Sequence, residues 1–218
     1  MKKVLFLLII SFSISIAQSI TVTNSGFETI KNNQPEGWVI NTTGKLSIDN
    51  STSKSGKSSL LITHDDWQRT EITSSEVNLK VGHVYKVSGW IKTENAESNS
   101  YDQYPTPLAA VITMESFPFT NNSPAVGATT DWQKVDVMFV ATKSKDKIQL
   151  HLGYNGNAKG KAWFDDIALT EVTDISEYIP LETVKWHGPA FRYEDKGLIF
   201  VHIEGKPYQR GLQYGSLL

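Results

Sequence analysis

There is no cysteine anywhere in these 218 residues. That excludes disulfide cross-links, a thiolate nucleophile and a thiolate-ligated metal within the chain, and it excludes a lipid attached at a processed cysteine. An excess of one charge is missing too. Lys and Arg number 21 against 23 Asp and Glu, so no basic stripe exists to neutralise a phosphate backbone and nucleic acid is not an expected partner. Gly-x-Ser-x-Gly and His-Glu-x-x-His are both absent. The five histidines (64, 83, 151, 187 and 202) show no metal-binding spacing. Asp65-Asp66 and Asp165-Asp166 are adjacent pairs that point to opposite faces of a strand. They are poorly placed to face each other across the roughly 5–9.5 Å that glycoside hydrolysis requires.

One long apolar run is present, at the N-terminus. Lys2 and Lys3 precede Val4–Ile16, and Ser15-Ile16-Ala17 puts small residues where signal peptidase cuts. Its length of about thirteen residues is short of the roughly 20 that span a bilayer. Residues 1–17 are therefore expected to be a cleaved signal peptide, which makes the protein secreted, periplasmic or displayed at the cell surface. No later stretch is apolar enough to cross a membrane. Loss of Lys2 and Lys3 leaves 19 basic residues against 23 acidic ones.

From Ile20 to about Val172 the pattern has period two. In His83–Thr93, Tyr85, Val87 and Ile91 share one face, while Lys86, Ser88, Trp90 and Lys92 share the other. Val135, Val137, Phe139 and Ala141 alternate in the same way, as do Ile148, Leu150, Leu152 and Tyr154 opposite Gln149 and His151. Ser58–Thr63 and Leu108–Met114 are two further strands. Asn32–Pro35, Lys54–Gly56, Thr120–Pro124 and Asn155–Gly160 read as turns, and Ser98–Pro107 as a long loop. Many short strands with such turns predict an all-β fold, an antiparallel β-sandwich.

Four landmarks follow in order: Asn24-Ser25-Gly26-Phe27-Glu28 with Pro35-Glu36-Gly37-Trp38; Lys54-Ser55-Gly56-Lys57-Ser58-Ser59-Leu60; Tyr85–Lys92 with Trp132-Gln133-Lys134-Val135; and Ala162-Trp163-Phe164-Asp165-Asp166-Ile167-Ala168-Leu169. Together they resemble the CenC-type carbohydrate-binding modules, which have a galactose-binding-like jelly roll. The resemblance implies a module over residues 18–175 and a structural Ca2+. Carried over, the ligands are the carboxylates of Glu28 and Asp165 with carbonyls from Gly26, Lys54 and Lys57, and Asp166 is an alternative to Asp165. Calcium suits such a mixed oxygen shell.

Trp38, Trp132 and Trp163 fall at landmark positions and are expected to pack. Trp67 lies in a polar stretch where members of this family often place a stacking aromatic. Trp90 is on the polar face of its strand, Glu115 lies just past a strand, and His151 faces away from Leu150 and Leu152. Trp67, Arg69, Trp90, Glu115 and His151 are accordingly the expected ligand-binding residues on one concave sheet. The expected partner is a polysaccharide or cell-surface glycan bound by a monomer. The rival readings are an accessory domain without sugar binding, and an adhesion module for protein.

Residues 176–218 read as a linker with two prolines, a strand at Gly197–Glu204, and a helix opening near Pro207. The pattern Gly205-x-Pro207-Tyr208-x-x-Gly211-x-Gln213-x-Gly215 resembles the start of the autoproteolytic N-terminal-nucleophile hydrolases related to isopenicillin-N acyltransferase and the phospholipase B-like proteins. That resemblance implies a parent amide or acyl hydrolase whose cysteine lies beyond Leu218. The chain itself is expected to be non-catalytic.

Overall fold

The computed structural model describes residues 18–32, 34–41, 45–100, 108–117, 122–154, 156–173, 192–195 and 198–201. The expected signal peptide, most of the expected loop at Ser98–Pro107 and the expected C-terminal helix lie outside them. The described elements are all strands: β1 (Gln18–Ile20), β2 (Ile30–Lys31), β3 (Gln34–Pro35), β4 (Trp38–Ile40), β5 (Lys45–Asp49), β6 (Ser59–Gln68), β7 (Thr70–Ser74), β8 (Val77–Asn78), β9 (Val84–Ser100), β10 (Leu108–Met114), β11 (Ala128–Val140), β12 (Lys145–Asp146), β13 (Ile148–Tyr154), β14 (Gly156–Glu171), β15 (Arg192–Asp195) and β16 (Leu198–Val201).

Two antiparallel sheets make the sandwich. One has the order β11-β9-β14-β6-β5 with β1 added alongside β14, and the other runs β10-β13-β7-β4. Period-two alternation turns one side of each strand toward the other sheet. Leu60, Ile62, Val87, Ile91, Val135, Val137, Phe139, Phe164 and Leu169 come from the first sheet. Ile72, Ala110, Ile112, Met114, Ile148, Leu150 and Leu152 meet them from the second. Aromatic rings close the ends: Phe27 packs 5.1 Å from Trp38, and Phe139 lies 5.9 Å from Tyr85 and 5.7 Å from Phe117. β15 and β16 pair with each other as a separate hairpin, so the expected strand near Gly197–Glu204 is present at Leu198–Val201.

Three expected boundaries move. The expected strand His83–Thr93 continues to Ser100, so Ser98–Ser100 of the expected loop are strand. The expected strand Ser58–Thr63 continues through His64-Asp65-Asp66-Trp67-Gln68. The expected turn at Asn155–Gly160 is instead the start of β14 from Gly156 on, paired with Ser98–Ser100 of β9 and with Gln68 of β6. Pairing of these two segments with each other, and of Gly156–Lys159 with β9, satisfies peptide groups whatever the side chains prefer. The registers of β14 with both neighbours shift at Gly160. There φ is +99°, and a Cβ would drive into the Asn95 carbonyl. Gly160→Ala is expected to destabilise the fold by about 2–4 kcal/mol, since it combines strained backbone with a clash against main chain that cannot rotate away. Urea unfolding checks this, and an unchanged midpoint would mean the register shift is not fixed as described.

Candidate functional site

Two groups of polar side chains stand out, one at an end of the sandwich and one on a sheet face. The end group begins in the loop after β1. Asn24 pins that loop: its Oδ1 accepts from the Thr29 amide at 2.9 Å, and its Nδ2 donates to the Thr29 and Glu36 carbonyls. Phe27 anchors in the core, and Glu28 is thereby aimed at the turn between β5 and β6. Its Oε1 accepts from the amides of Lys57 (2.8 Å) and Ser58 (3.1 Å). Gly56 has φ +59°, and any side chain there would overlap the Glu28 carboxylate. From β14, Asp165 Oδ2 accepts from the amides of Lys54 (2.7 Å) and Ser55 (3.2 Å), and Ser55 Oγ donates to Asp166 Oδ1 at 2.6 Å. A bulge with Asp166 at φ +50° turns both carboxylates toward Gly26, where a Cβ would stand 3.6 Å from Asp165 and 3.8 Å from Asp166.

All six residues expected to ligate calcium therefore meet at one place. Asp165 is fully buried, and burial pushes its carboxyl up while the amides of Lys54, Ser55 and Asp166 pull it back. Among the described residues neither Glu28, Asp165 nor Asp166 has an ion-pair partner, and no described hydrogen bond ends on the carbonyls of Gly26, Lys54 or Lys57. An acidic cluster without a cation is costly, and unengaged carbonyls are the oxygens calcium uses. Among the described residues no three His, Cys, Asp or Glu side chains stand in a metal-binding arrangement by themselves, so a cation here needs those carbonyls. With them, the donor set fits calcium.

The second group lies on the outward face of the four-stranded sheet. Register sets two rows across it: Thr113, Gln149, Thr73 and Val39; then Val111, His151, Glu71 and Asn41. Glu71 is the hub. Its Oε1 accepts from Asn41 Nδ2 and Gln149 Nε2, each at 2.9 Å, and from Thr73 Oγ1 at 3.4 Å, while Arg69 lies 3.9 Å from Oε2. Gln149 Oε1 accepts from His151 Nε2 at 3.3 Å. The His151 ring is 1% exposed and stands edge-on to Tyr154, 4.8 Å between ring centres, so Tyr154 packs with His151 and not with Leu150 and Leu152 as the alternation predicts; the left-handed Gly153 at φ +85° breaks the period there. Burial, with the Arg69 charge adding to it, holds the His151 pKa down to about 3. The β10 and β13 side of the face is closed, whereas Val39 at the β4 edge is 57% exposed.

The five expected ligand-binding residues are divided. Arg69 and His151 come together on this face. Glu115 follows β10 at the end of the same face, paired with Lys147 at 3.2 Å. Trp67, 38% exposed, stands at the corner where the chain leaves β6 for β7, with Lys159 Nζ 5.0 Å from its ring centre. Trp90 is not with them: β9 belongs to the six-stranded sheet, its outward face is on the opposite side of the sandwich, and Lys54 Nζ caps the Trp90 ring at 3.9 Å. Period two puts Trp90 on a polar face without revealing which sheet owns that face. Glu71, Gln149, Asn41 and Thr73 were not picked out from sequence. The only local signal is that Gln149 shares a strand face with His151; the rest depends on pairing between distant segments. Trp38 and Trp163 are buried and Trp132 half-buried, as expected for packing residues.

Among relatives, the carbohydrate binding domain family matches residues 20–157. The tRNA(Glu)-specific nuclease WapA of Bacillus subtilis subsp. natto (strain BEST195) is 26% identical over 162 residues, which is 68% of this chain but 7% of that protein, so the chain spans only a small part of its curated relative. In fold it is similar to the Stig cyclase Fisc from Fischerella sp. TAU, with TM-score 0.52 and 17% identity, over 72% of this chain and 98% of the cyclase. The CBM22-1 xylan-binding domain from Paenibacillus barcinonensis Xyn10C aligns with TM-score 0.49 and 15% identity, over 73% and 99%. The match over residues 20–157 covers most of the described sandwich, and the chain belongs to the carbohydrate binding domain family.

Proposed function

We propose that this protein is an exported, non-catalytic glycan-binding module, and that it binds through the outward face of the β10-β13-β7-β4 sheet. The observation that carries the reading is the Glu71 network. A carboxylate, two carboxamides, a hydroxyl and a guanidinium gather on a sheet face away from the core, which is the functional-group set that recognises sugar hydroxyls. Trp67 at the adjoining corner supplies an exposed ring against which a sugar's C–H face can stack. Export rests on the basic, apolar and small-residue pattern of residues 1–17. A calcium ion held by Glu28, Asp165 or Asp166 and the carbonyls of Gly26, Lys54 and Lys57 would tie the first loop to the last strand. The Gly205-x-Pro207-Tyr208 pattern after the module supports an association of this binding module with N-terminal-nucleophile hydrolase chemistry.

Affinity electrophoresis against soluble xylan, galactan and mixed-linkage glucan tests the binding. Retention by at least one is expected. Glu71→Ala should weaken it about tenfold or more, because the carboxamides around it lose their shared acceptor, and Trp67→Ala should weaken it further. Equal retention of both variants would remove this face from the site. Calcium is tested by heat. Chelation should lower Tm by roughly 5–10 °C, since a saturating ligand contributes a few kcal/mol to a domain of this size, and Asp165→Asn should abolish the difference. An unchanged Tm on chelation would sink the calcium proposal.

The buried imidazole gives a pH signature. Its pKa of about 3 lies below the ordinary 6.5. In acid, the unfolded chain therefore takes up a proton that the folded chain refuses. The stability associated with neutral His151 is present above pH 6.5 and drains away as the pH falls toward 3. The carboxyls of Asp146 and Asp165, raised by burial, act in the opposite sense. Urea unfolding of wild type and His151→Phe at a series of pH values isolates the histidine. The variant should lose stability less steeply below pH 6.5, and parallel slopes would contradict a buried neutral ring.

A further inference from the structure

A cavity of about 610 Å3 opens at the end of the sheet face remote from Trp67, between the β2–β3 hairpin, the start of β4 and the end of β7. That volume is in the ordinary range for a ligand site. Trp67 precedes the first residue of β7, whereas the cavity lies past its last. Ser75 marks the join. Its amide donates to the Gly37 carbonyl at 2.6 Å and its hydroxyl to the same oxygen at 3.1 Å, two residues beyond the Val39–Thr73 pair. Period two therefore keeps Ser75 on the outward side with Thr73 and Glu71. Thr23, Lys31, Asn32 and Gln34 form walls with Ser75, and all five are exposed, so the cavity is open to solvent.

The walls are held in place by the protein alone. Gly37 has φ +79°, and a Cβ there would stand 2.8 Å from Thr23 Cγ2 and 3.2 Å from Ser75 Oγ, so three segments meet at contact distance. Asn24 ties the first of them to the Glu36 carbonyl, and Trp38, 2% exposed beneath, donates its indole N–H to the Thr23 carbonyl. These bonds consume main-chain oxygens. Among the described residues no hydrogen bond is made by the Thr23 hydroxyl or by the side chains of Asn32 and Gln34. Lys31 meets Glu36 at 3.7 Å, longer than a hydrogen bond. The buried indole offers no ring face, so recognition here rests on donors and acceptors: an ammonium, a carboxylate, two carboxamides and two hydroxyls. That set matches sugar hydroxyls. Lys31 and Glu36 balance in charge, so nothing favours an acidic or a basic sugar. Resting on the glycan-binding reading of the adjoining face, we infer that this cavity is a second sugar subsite, and that the ligand is an extended neutral polysaccharide chain running along β7 from Trp67 past Glu71 to the β2–β3 hairpin. From Thr70 to Ser75 are five strand steps, about 17 Å, a span that a disaccharide does not cover.

The test is calorimetric titration of the full chain with oligosaccharides of increasing length, cut from whichever of xylan, galactan and mixed-linkage glucan is retained. Wild-type affinity should rise with chain length and level off only when the chain spans both ends of the face. The double variant Lys31→Ala/Gln34→Ala should bind the longest oligosaccharide about tenfold more weakly and the shortest one that binds with unchanged affinity. Both side chains are exposed and outside the core, and unchanged affinity for the shortest ligand itself shows that the variant's sheet face is intact. Equal affinity of wild type and variant for the longest chain overturns the inference. So does an equal loss at every length, which would mean that the hairpin supports the face without holding a sugar. A wild-type affinity already at its plateau with a disaccharide also overturns it. If nothing in the panel binds wild type, the glycan reading itself fails and the inference falls with it. Binding that depends on Glu71 and Trp67 but not on chain length defeats the inference alone.

Discussion

Asp165 is a buried carboxylate with no described cation beside it, and the ends of the sandwich are organised around it. A Cys-free chain cannot cross-link its first loop to its last strand covalently. Here the link is made by hydrogen bonds from carboxylates to backbone amides: Asp165 to the turn at Lys54 and Ser55, Glu28 to the same turn at Lys57 and Ser58. Amide donors to a charged acceptor are among the stronger protein hydrogen bonds. They also fix geometry, because backbone amides in a tight turn cannot rotate away. The motif residues then acquire separate reasons. Gly26 and Gly56 make room for the carboxylates, Phe27 anchors the loop in the core, and the Asp166 bulge brings a second carboxylate to the same spot. Burial is what raises the Asp165 carboxyl, and the amides of Lys54, Ser55 and Asp166 offset it.

The same bookkeeping explains the tryptophans of the other sheet. Trp90 lies under the Lys54 ammonium, and Trp163 donates its indole N–H to Asp49 at 2.8 Å. Asp49 also accepts from Ser51 and Thr52. Although it is only lightly buried and burial acts to raise its pKa, these bonds together hold it at about 2. Lys54 lies over one face of the Trp90 ring, and the Trp163 indole N–H, already bonded, has nothing left to donate. These residues hold the β5–β6 turn against the sheet, and that turn carries the Lys54 and Lys57 amides. The aromatic surface of the six-stranded sheet therefore supports the carboxylate cluster at its edge.

The sandwich was legible because burial imposes period two on each strand separately. Tyr85, Val87 and Ile91, or Ile148, Leu150 and Leu152, announce their inward face without reference to any partner. Legibility failed where the backbone, not the side chains, does the pairing. His64–Gln68 and Gly156–Gly160 are polar or small, yet they extend β6 and β14 because the two segments pair with each other and Gly156–Lys159 also pairs with β9. The end cluster was legible only through the family resemblance, since its residues are far apart in sequence. The face network was half legible. His151 and Arg69 were visible as polar residues in strand-like surroundings. Glu71, Thr73, Asn41 and Gln149 become a network only through the pairing of β13 with β7 and of β7 with β4, which no local pattern encodes.

Why the sheet face should tolerate so much buried polarity follows from its connections. The bonds from Asn41 to Glu71 and from Glu71 to Gln149 lie between adjacent strands, whereas that from Gln149 to His151 runs along β13, so the network adds two cross-strand ties where the outward side chains of a sandwich would otherwise contribute little. The cost is that every orientation depends on the one before it. A change at Glu71 frees Gln149 to flip, and a flipped Gln149 would present its amide nitrogen to His151 and shift the ring proton to Nδ1. With Glu71 in place a flipped Gln149 would set its oxygen against the carboxylate, so only one orientation of the chain is satisfied. The single carboxylate of Glu71, held from both sides by the carboxamides of Asn41 and Gln149 and positioned near Arg69, fixes the orientation of Gln149 and, through it, the side of the His151 ring that carries the proton.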